Sequence, residues 1–307
     1  MSAPPAQALF SGPQAHARGL AIAVGAVLLI SFDALMVRLA DAHHWDIIFW
    51  RGWLICASLG GWMLLTGRRA VLPPRRRDRG LLLLAVVLLS GNTSLFVLSV
   101  SHTTAANTVV LLAASPFFAA IFSRLFLAEP VPLRTWVAIA LAMAGVVVVF
   151  GGGLQGGSWI GDGLALLLAM TVGGQLTILR RFPATPRLPL VCVSGAIAGA
   201  MAIPFADPFA LSAQSYGVLL AMGLVQMPLA TLMLTVATRY IPSPEVSLCL
   251  LLETILGPIW VWWVLGEAAP ALTLVGGSII LVTVATHAWL ALRAERRARA
   301  GLEASAL

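Results

Sequence analysis

Asp33 sits inside the apolar run 19–40, and Arg51 sits inside the next one, 46–66. Glu253 falls near the middle of the run 242–265, with Glu245 eight residues before it, after Pro242 and Pro244. An ionisable side chain in such surroundings is costly to keep, so each marks either a structural pair or a working site. Arg51 could attract an anionic group, and Asp33 could take an ammonium or a proton. Glu253, as an unpaired carboxylate at mid-run, has the character of a proton carrier. Asn92, Asn107, Gln175 and Gln226 could add hydrogen bonds to a polar ligand, as could His102. Each residue also has a plainer reading. Buried amides often only bind a neighbouring helix, Glu245 suits a helix start, and Asp33 and Arg51 can simply neutralise each other.

The elements that must hold these groups follow from composition. The 307 residues are 60% hydrophobic and 10% charged, with a mean hydropathy of +0.95. Soluble domains carry about 45–50% apolar and about 25% charged residues, and a water-soluble fold could not hide this excess in one core. Lipid is therefore the solvent for most of the chain. A bilayer core takes about 20 apolar residues per helix. Runs of that kind fall at 19–40, 46–66, 80–100, 104–126, 133–151, 161–181, 188–206, 214–237, 242–265 and 270–292, so an all-α protein of ten transmembrane helices is expected. At about 1.5 Å per residue, Asp33 and Arg51 then lie roughly 8–10 Å below the same membrane face, on antiparallel neighbours. The geometry permits a salt bridge or a shared polar site.

All 19 basic residues are arginines. With the amino terminus inside, sixteen of them fall in inner segments, and the outer loops hold Asp41, His43, His44, Asp207 and Glu267 instead. This asymmetry predicts an inner-membrane protein with both termini in the cytoplasm. Residues 1–18 read as a disordered cytoplasmic N-terminus, with no cleaved signal peptide, and 293–307 as a basic cytoplasmic tail.

The two halves resemble each other. Ser115-Pro116 through Leu127-Ala128-Glu129-Pro130 matches Glu253-Thr254 through Leu265-Gly266-Glu267-Ala268, at an offset of 138. Asp33 through Arg38 matches Gln175 through Arg180, at an offset of 142, which makes Gln175 the counterpart of Asp33; Asn107 is the counterpart of Glu245. Five helices per repeat is an odd number, so 19–151 and 161–292 would enter the membrane in opposite senses. Inverted repeats of this kind occur in secondary transporters, with the substrate site near the midplane between the halves.

Other chemistry is sparse. Cys56, Cys192 and Cys249 lie in apolar runs without metal-ligand or CxxC spacing and read as small buried hydrophobes. His43 and His44 read as a solvated turn, and neither a metal site nor a cofactor is expected. The chain has no lysine, no HExxH and no nucleophile motif, so the two alternatives, a membrane-embedded enzyme and a non-transporting membrane scaffold, have little to rest on. Clustered arginines between apolar runs fit lipid headgroups better than nucleic acid. Trp50, Trp53, Trp260, Trp262 and Trp263 could wall a cavity or anchor at the interface. Glu129 and Glu267 read as structural helix ends, and Gly195/Gly199 form a GxxxG close-packing signal.

Across roughly 19–292 the sequence resembles the drug/metabolite transporter superfamily, specifically bacterial permeases with two EamA-type domains. The likeness is carried by Phe49-Trp50-Arg51-Gly52, by Thr103-Thr104-Ala105-Ala106-Asn107 and by Pro116 with Glu129. Gly161-Asp162 and the Leu252-Glu253, Gly257-Pro258 and Leu265-Gly266-Glu267 elements complete it. Thr254 departs from the Glu-Pro pair of many relatives; Pro258 would supply the helix break. The resemblance implies alternating-access transport, often outward, of a small polar or amphipathic, amino-acid-like metabolite. Partners would be that substrate, membrane lipids and, if transport is coupled, H+, with the protein a monomer or homodimer.

Overall fold

The computed structural model describes residues 13–67, 76–127, 159–241, 249–267 and 269–283, with Val246 and isolated positions between 133 and 151 and between 285 and 290. Among the described residues every regular element is helical and none is a strand. Lipid imposes this, because each backbone N–H and C=O must find its partner within the protein. The helices are α1 (Pro13–Ile30), α2 (Asp33–Leu39), α3 (His44–Thr66), α4 (Arg76–His102), α5 (Ala105–Leu112), α6 (Ser115–Leu127), α7 (Trp159–Arg181), α8 (Arg187–Ala202), α9 (Ala213–Ala221), α10 (Met227–Ala237), α11 (Leu251–Leu265) and α12 (Ala271–Thr283).

Among the described residues six helical spans are long and apolar enough to cross a membrane: Ala17–Leu39, His44–Thr66, Asp78–His102, Ala105–Phe126, Trp159–Arg181 and Ala213–Ala237. They coincide with the first, second, third, fourth, sixth and eighth apolar runs. The seventh, ninth and tenth runs carry the shorter apolar helices Arg187–Ala202, Ile255–Leu265 and Ala271–Thr283. The fifth run is described only at scattered positions, all helical, and Glu245, Glu129, most of residues 1–18 and all of 293–307 lie outside the described residues. The chain is a multi-pass membrane protein. Its first helix starts at Pro13, ahead of the boundary at 19 drawn from the apolar pattern.

The hinge at Ser101–Thr104 is real and short: the Thr104 hydroxyl accepts from the Asn107 N–H at 3.1 Å and caps α5. Gly67 and Gly266 end α3 and α11 in the left-handed conformation, at φ 61° and 69°, where a side chain would be strained.

Three spans are interrupted. α1 and α2 are separated by Ser31-Phe32, α5 and α6 by Ala113-Ala114, and α9 and α10 by a π-helical turn at Met222–Gln226. Proline accounts for two of these, since it lacks the N–H its helix needs. Pro116 leaves no backbone donor for the Leu112 carbonyl, where α5 ends, and Pro228 leaves none for Leu224, whose carbonyl instead accepts from the Ser58 hydroxyl at 2.9 Å. The first break has no proline. There the Ser31 hydroxyl donates to the Leu28 carbonyl at 2.8 Å, and the Gln226 amide donates to the Leu29 carbonyl at 2.9 Å, satisfying backbone groups the break would leave bare.

Helix pairs approach through small residues. α3 lies against α8 with Gly52 facing Gly195 and Gly199; a Cβ on Gly52 would fall 2.6 Å from the Gly195 carbonyl oxygen. The GxxxG of α8 is thus a backbone-to-backbone seam. α4 packs on α7, α10 on α1, and α11 on α5, around a core of Ala, Val, Leu and Ile side chains.

Candidate functional site

Breaking the first span at Ser31-Phe32 starts α2 at Asp33, and the antiparallel α3 brings Arg51 opposite. The guanidinium grips the carboxylate with two bonds, Nη1 to Oδ1 at 3.1 Å and Nη2 to Oδ2 at 3.0 Å. Both residues are at most 2% exposed. Arg51 Nη2 also meets the Met227 sulfur at 3.4 Å, and its guanidinium carbon lies 5.8 Å from the Phe96 ring centre. Its Nε has no partner. A fork of this geometry is among the stronger polar contacts available, and it offsets the loss of water around both charges.

The pair borders a cavity with about 90 Å³ of space open to water centres, enough for several waters. The helix interruptions converge on it. Ile30 and Asp33 flank the first break, Leu112 precedes the second, and Met227 follows the π-helical turn; all four line the cavity. Broken helices with polar groups at their ends are how transporters build a mid-membrane site. Opposite the pair, Asn92 donates to the Gln175 side-chain oxygen, and both amides line the wall with Thr231 and Thr235. Glu253 lines it too, 2% exposed, and neither of its carboxyl oxygens has a hydrogen-bond partner. One guanidinium and two carboxyl groups therefore share a single small space.

Of the residues singled out from sequence, Asp33, Arg51, Asn92, Gln175 and Glu253 meet at this cavity. Gln226 is buried beside the first break, where its side-chain N–H donates to the Leu29 carbonyl, and it is not on the cavity wall. Asn107 belongs to a different cluster. Its amide donates to Asp162 at 3.0 Å and to Thr103 Oγ1 at 3.2 Å, its oxygen accepts from the Thr273 hydroxyl, and Thr103 donates to Asp162 at 2.7 Å. That cluster ties α5, α7 and α12 together. Glu245 lies outside the described residues. Sequence reasoning did not single out Thr231, Thr235 or Met227; the four-residue spacing of the two threonines, one turn apart on α10, was the available signal.

The remaining polar groups fall elsewhere. His102, whose Nδ1 is 2.7 Å from the Leu98 carbonyl, sits at one helix-end surface with its ring centre 5.3 Å from that of His44, which is in turn 4.0 Å from that of His43. Trp260 turns inward, its indole N–H 3.2 Å from the Ser31 hydroxyl and its ring stacked on Phe32, whereas Trp262 and Trp263 are exposed on the outside of the bundle. Cys56 and Cys192, far apart in sequence, come to 3.7 Å between sulfurs across the α3–α8 seam and remain free thiols. Glu267 does more than end a helix: it pairs with Arg38 at 3.2 Å and accepts from the Ala105 N–H at 3.2 Å, while Arg38 also donates to the Thr103 carbonyl at 2.9 Å. This knot joins the end of α2, the start of α5 and the loop after α11.

Comparison with known proteins agrees with this architecture. Residues 17–151 match the EamA-like transporter family. Over 193 residues, covering 61% of this chain and 67% of the relative, the sequence is 26% identical to the pseudopaline exporter CntI of Pseudomonas aeruginosa strain UCBPP-PA14 and, equally, of strain PAO1. A solved crystal structure superposes with a TM-score of 0.66 over 90% of this chain and 98% of its own, at 16% identity, a likeness of fold alone. Over residues 17–151, the first of the two expected repeats, the chain is thus similar to the EamA-like transporter family.

Proposed function

We propose that this protein is a secondary active transporter of the bacterial inner membrane that exports a small polar or amphipathic, amino-acid-like metabolite by alternating access. The observation that carries the reading is the meeting of a forked Arg51–Asp33 pair and an unpartnered Glu253 in one cavity, where three interrupted helices converge. Arg51 offers its guanidinium to a carboxylate of the substrate, with Asp33 holding the fork in place. Glu253 takes the substrate's ammonium or, when the cavity is empty, a proton. The substrate's ammonium and a proton compete for the same Glu253 carboxylate, and this competition couples substrate to H+. Asn92, Gln175 and the α10 threonines supply hydrogen bonds for the rest of the molecule.

The ten-helix arrangement, with inverted halves at 19–151 and 161–292 and both termini cytoplasmic, belongs to the same reading. It is supported by the way Asp33 and its repeat counterpart Gln175 both reach the cavity. The Arg38–Glu267 knot, at helix ends that the arginine distribution assigns to the outer face, serves as a tie that holds that side shut and parts when the substrate leaves. The relatives' role as exporters supports the outward direction.

The test is uptake into inside-out vesicles carrying the purified protein, with amino-acid-like compounds screened at imposed proton gradients. Gradient-driven uptake that Glu253→Gln loses while the variant remains folded is expected. Uptake by Glu253→Gln equal to the parent's at every pH removes Glu253 from the mechanism, and the absence of transport for every zwitterion tried removes the substrate class.

A further inference from the structure

A second cavity, of about 450 Å³, opens where α7 and α10 end and α8 begins, and it shares no lining residue with the first. Two arginines line it. Arg187, the first residue of α8, is 2% exposed; its Nη2 donates to the Leu179 carbonyl at 2.8 Å and to Thr238 Oγ1 at 3.4 Å, while Nε and Nη1 have no partner. Arg239, half-buried in the turn after α10, donates from Nη2 to the Thr185 carbonyl at 2.7 Å, and its Nε is unpartnered. Among the described residues no carboxylate lines the cavity, and two guanidinium groups face it.

Two guanidinium groups held by backbone carbonyls, Leu179 in the last turn of α7 and Thr185 in the loop after it, are fixed in direction, and fixed donors aimed into a cavity call for an oxyanion. The start of α8 adds to this. It is a sixteen-residue helix whose N-cap position, Pro186, provides no side-chain cap, so its positive end faces the same place. The other walls are apolar, formed by Leu188, Leu232 and Val236 among others. A basic pocket flanked by apolar side chains at the ends of membrane helices fits an anionic headgroup with its glycerol and first methylenes.

We propose that Arg187 and Arg239 form an anion site that takes a phosphate oxyanion, supplied by the headgroup of an anionic phospholipid. The site fastens the loop after α7 to the turn after α10 and makes the stability of the protein depend on the lipid around it.

The full-length protein, delipidated in uncharged detergent, is titrated with phosphatidylglycerol, phosphatidylcholine or inorganic phosphate, reading the thermal unfolding midpoint and lipid retention by native mass spectrometry. Phosphatidylglycerol raises the midpoint and is retained, and phosphatidylcholine does neither. Arg239→Gln, which removes the more exposed and more replaceable arginine, weakens the effect by about fivefold or more, the loss expected for one basic contact with an anionic headgroup. Arg187→Gln weakens it further where it folds. A response to inorganic phosphate without one to phosphatidylglycerol keeps the oxyanion site and assigns it a soluble ligand. If neither anion shifts the midpoint, or if Arg239→Gln responds as the parent does, the site does not exist.

Discussion

Replacing Glu253 by methionine separates a residue kept for function from one kept for packing. The side chain is 2% exposed, and both of its carboxyl oxygens lack a hydrogen-bond partner. A buried polar group left unpartnered costs about 1–3 kcal/mol, and more when charged. Methionine has a similar length and volume, so its own repacking cost stays below about 1.5 kcal/mol. The substitution should then stabilise the fold by roughly 1 kcal/mol or more, an effect on the order of 2 °C in the unfolding midpoint of a protein this size, while abolishing transport. A polar residue retained against the interest of stability is the expected signature of a working site. The assay is thermal unfolding in detergent for the parent, Glu253→Met and Glu253→Gln, beside vesicle transport for each. Glutamine keeps an amide in the same place and should change the midpoint less. A midpoint that falls by several degrees in Glu253→Met would mean that the carboxyl group holds the bundle together, and the reasoning from its missing partners would be wrong.

Asp33→Asn and Arg51→Met each break a buried pair and should each cost about 3–5 kcal/mol, with Arg51→Met the worse because it leaves Asp33 and Glu253 sharing a cavity with no cation; the reverse ranking in thermal or denaturant unfolding would contradict the geometry. Replacing both partners by Leu and Met should recover most of that loss. Gly52→Leu drives a side chain into the α8 backbone and should abolish accumulation of folded protein in membranes, whereas Gly61→Ala, on the same helix but facing open space, should be neutral or stabilise by up to about 1 kcal/mol. The Arg38–Glu267 pair is about 30% exposed, so Glu267→Gln should cost less than about 1 kcal/mol and the difference from the parent should shrink in high salt; a salt-independent loss of several degrees would assign the knot a larger share of the fold.

Much of the architecture is local in origin and could be read directly. A helix crosses lipid because its own residues are apolar for long enough, which is why six of the expected runs reappear as spans with nearly the same ends. The Asp33–Arg51 pair was accessible for the same reason, since two charges at equal depth on consecutive antiparallel helices have few other places to go. Gly195 and Gly199 announced a seam by their spacing, though not that Gly52 would be its other side.

What tertiary structure alone decided is where the chain's irregularities meet. Ser31-Phe32 carries no proline or glycine to mark a break; the break stands because Gln226, almost two hundred residues away, satisfies the carbonyl it exposes. The same contact explains why Gln226 is an internal strut while Gln175, an equally plausible amide by sequence, reaches the cavity. Asn107 was drawn to Asp162 and Thr273, and Cys56 to Cys192, by helix packing that no spacing along the chain encodes. Spans are set by the transfer of consecutive residues into lipid, which sums along the sequence. A site is set by which unsatisfied polar groups find each other across the bundle, and that is a property of the packed whole.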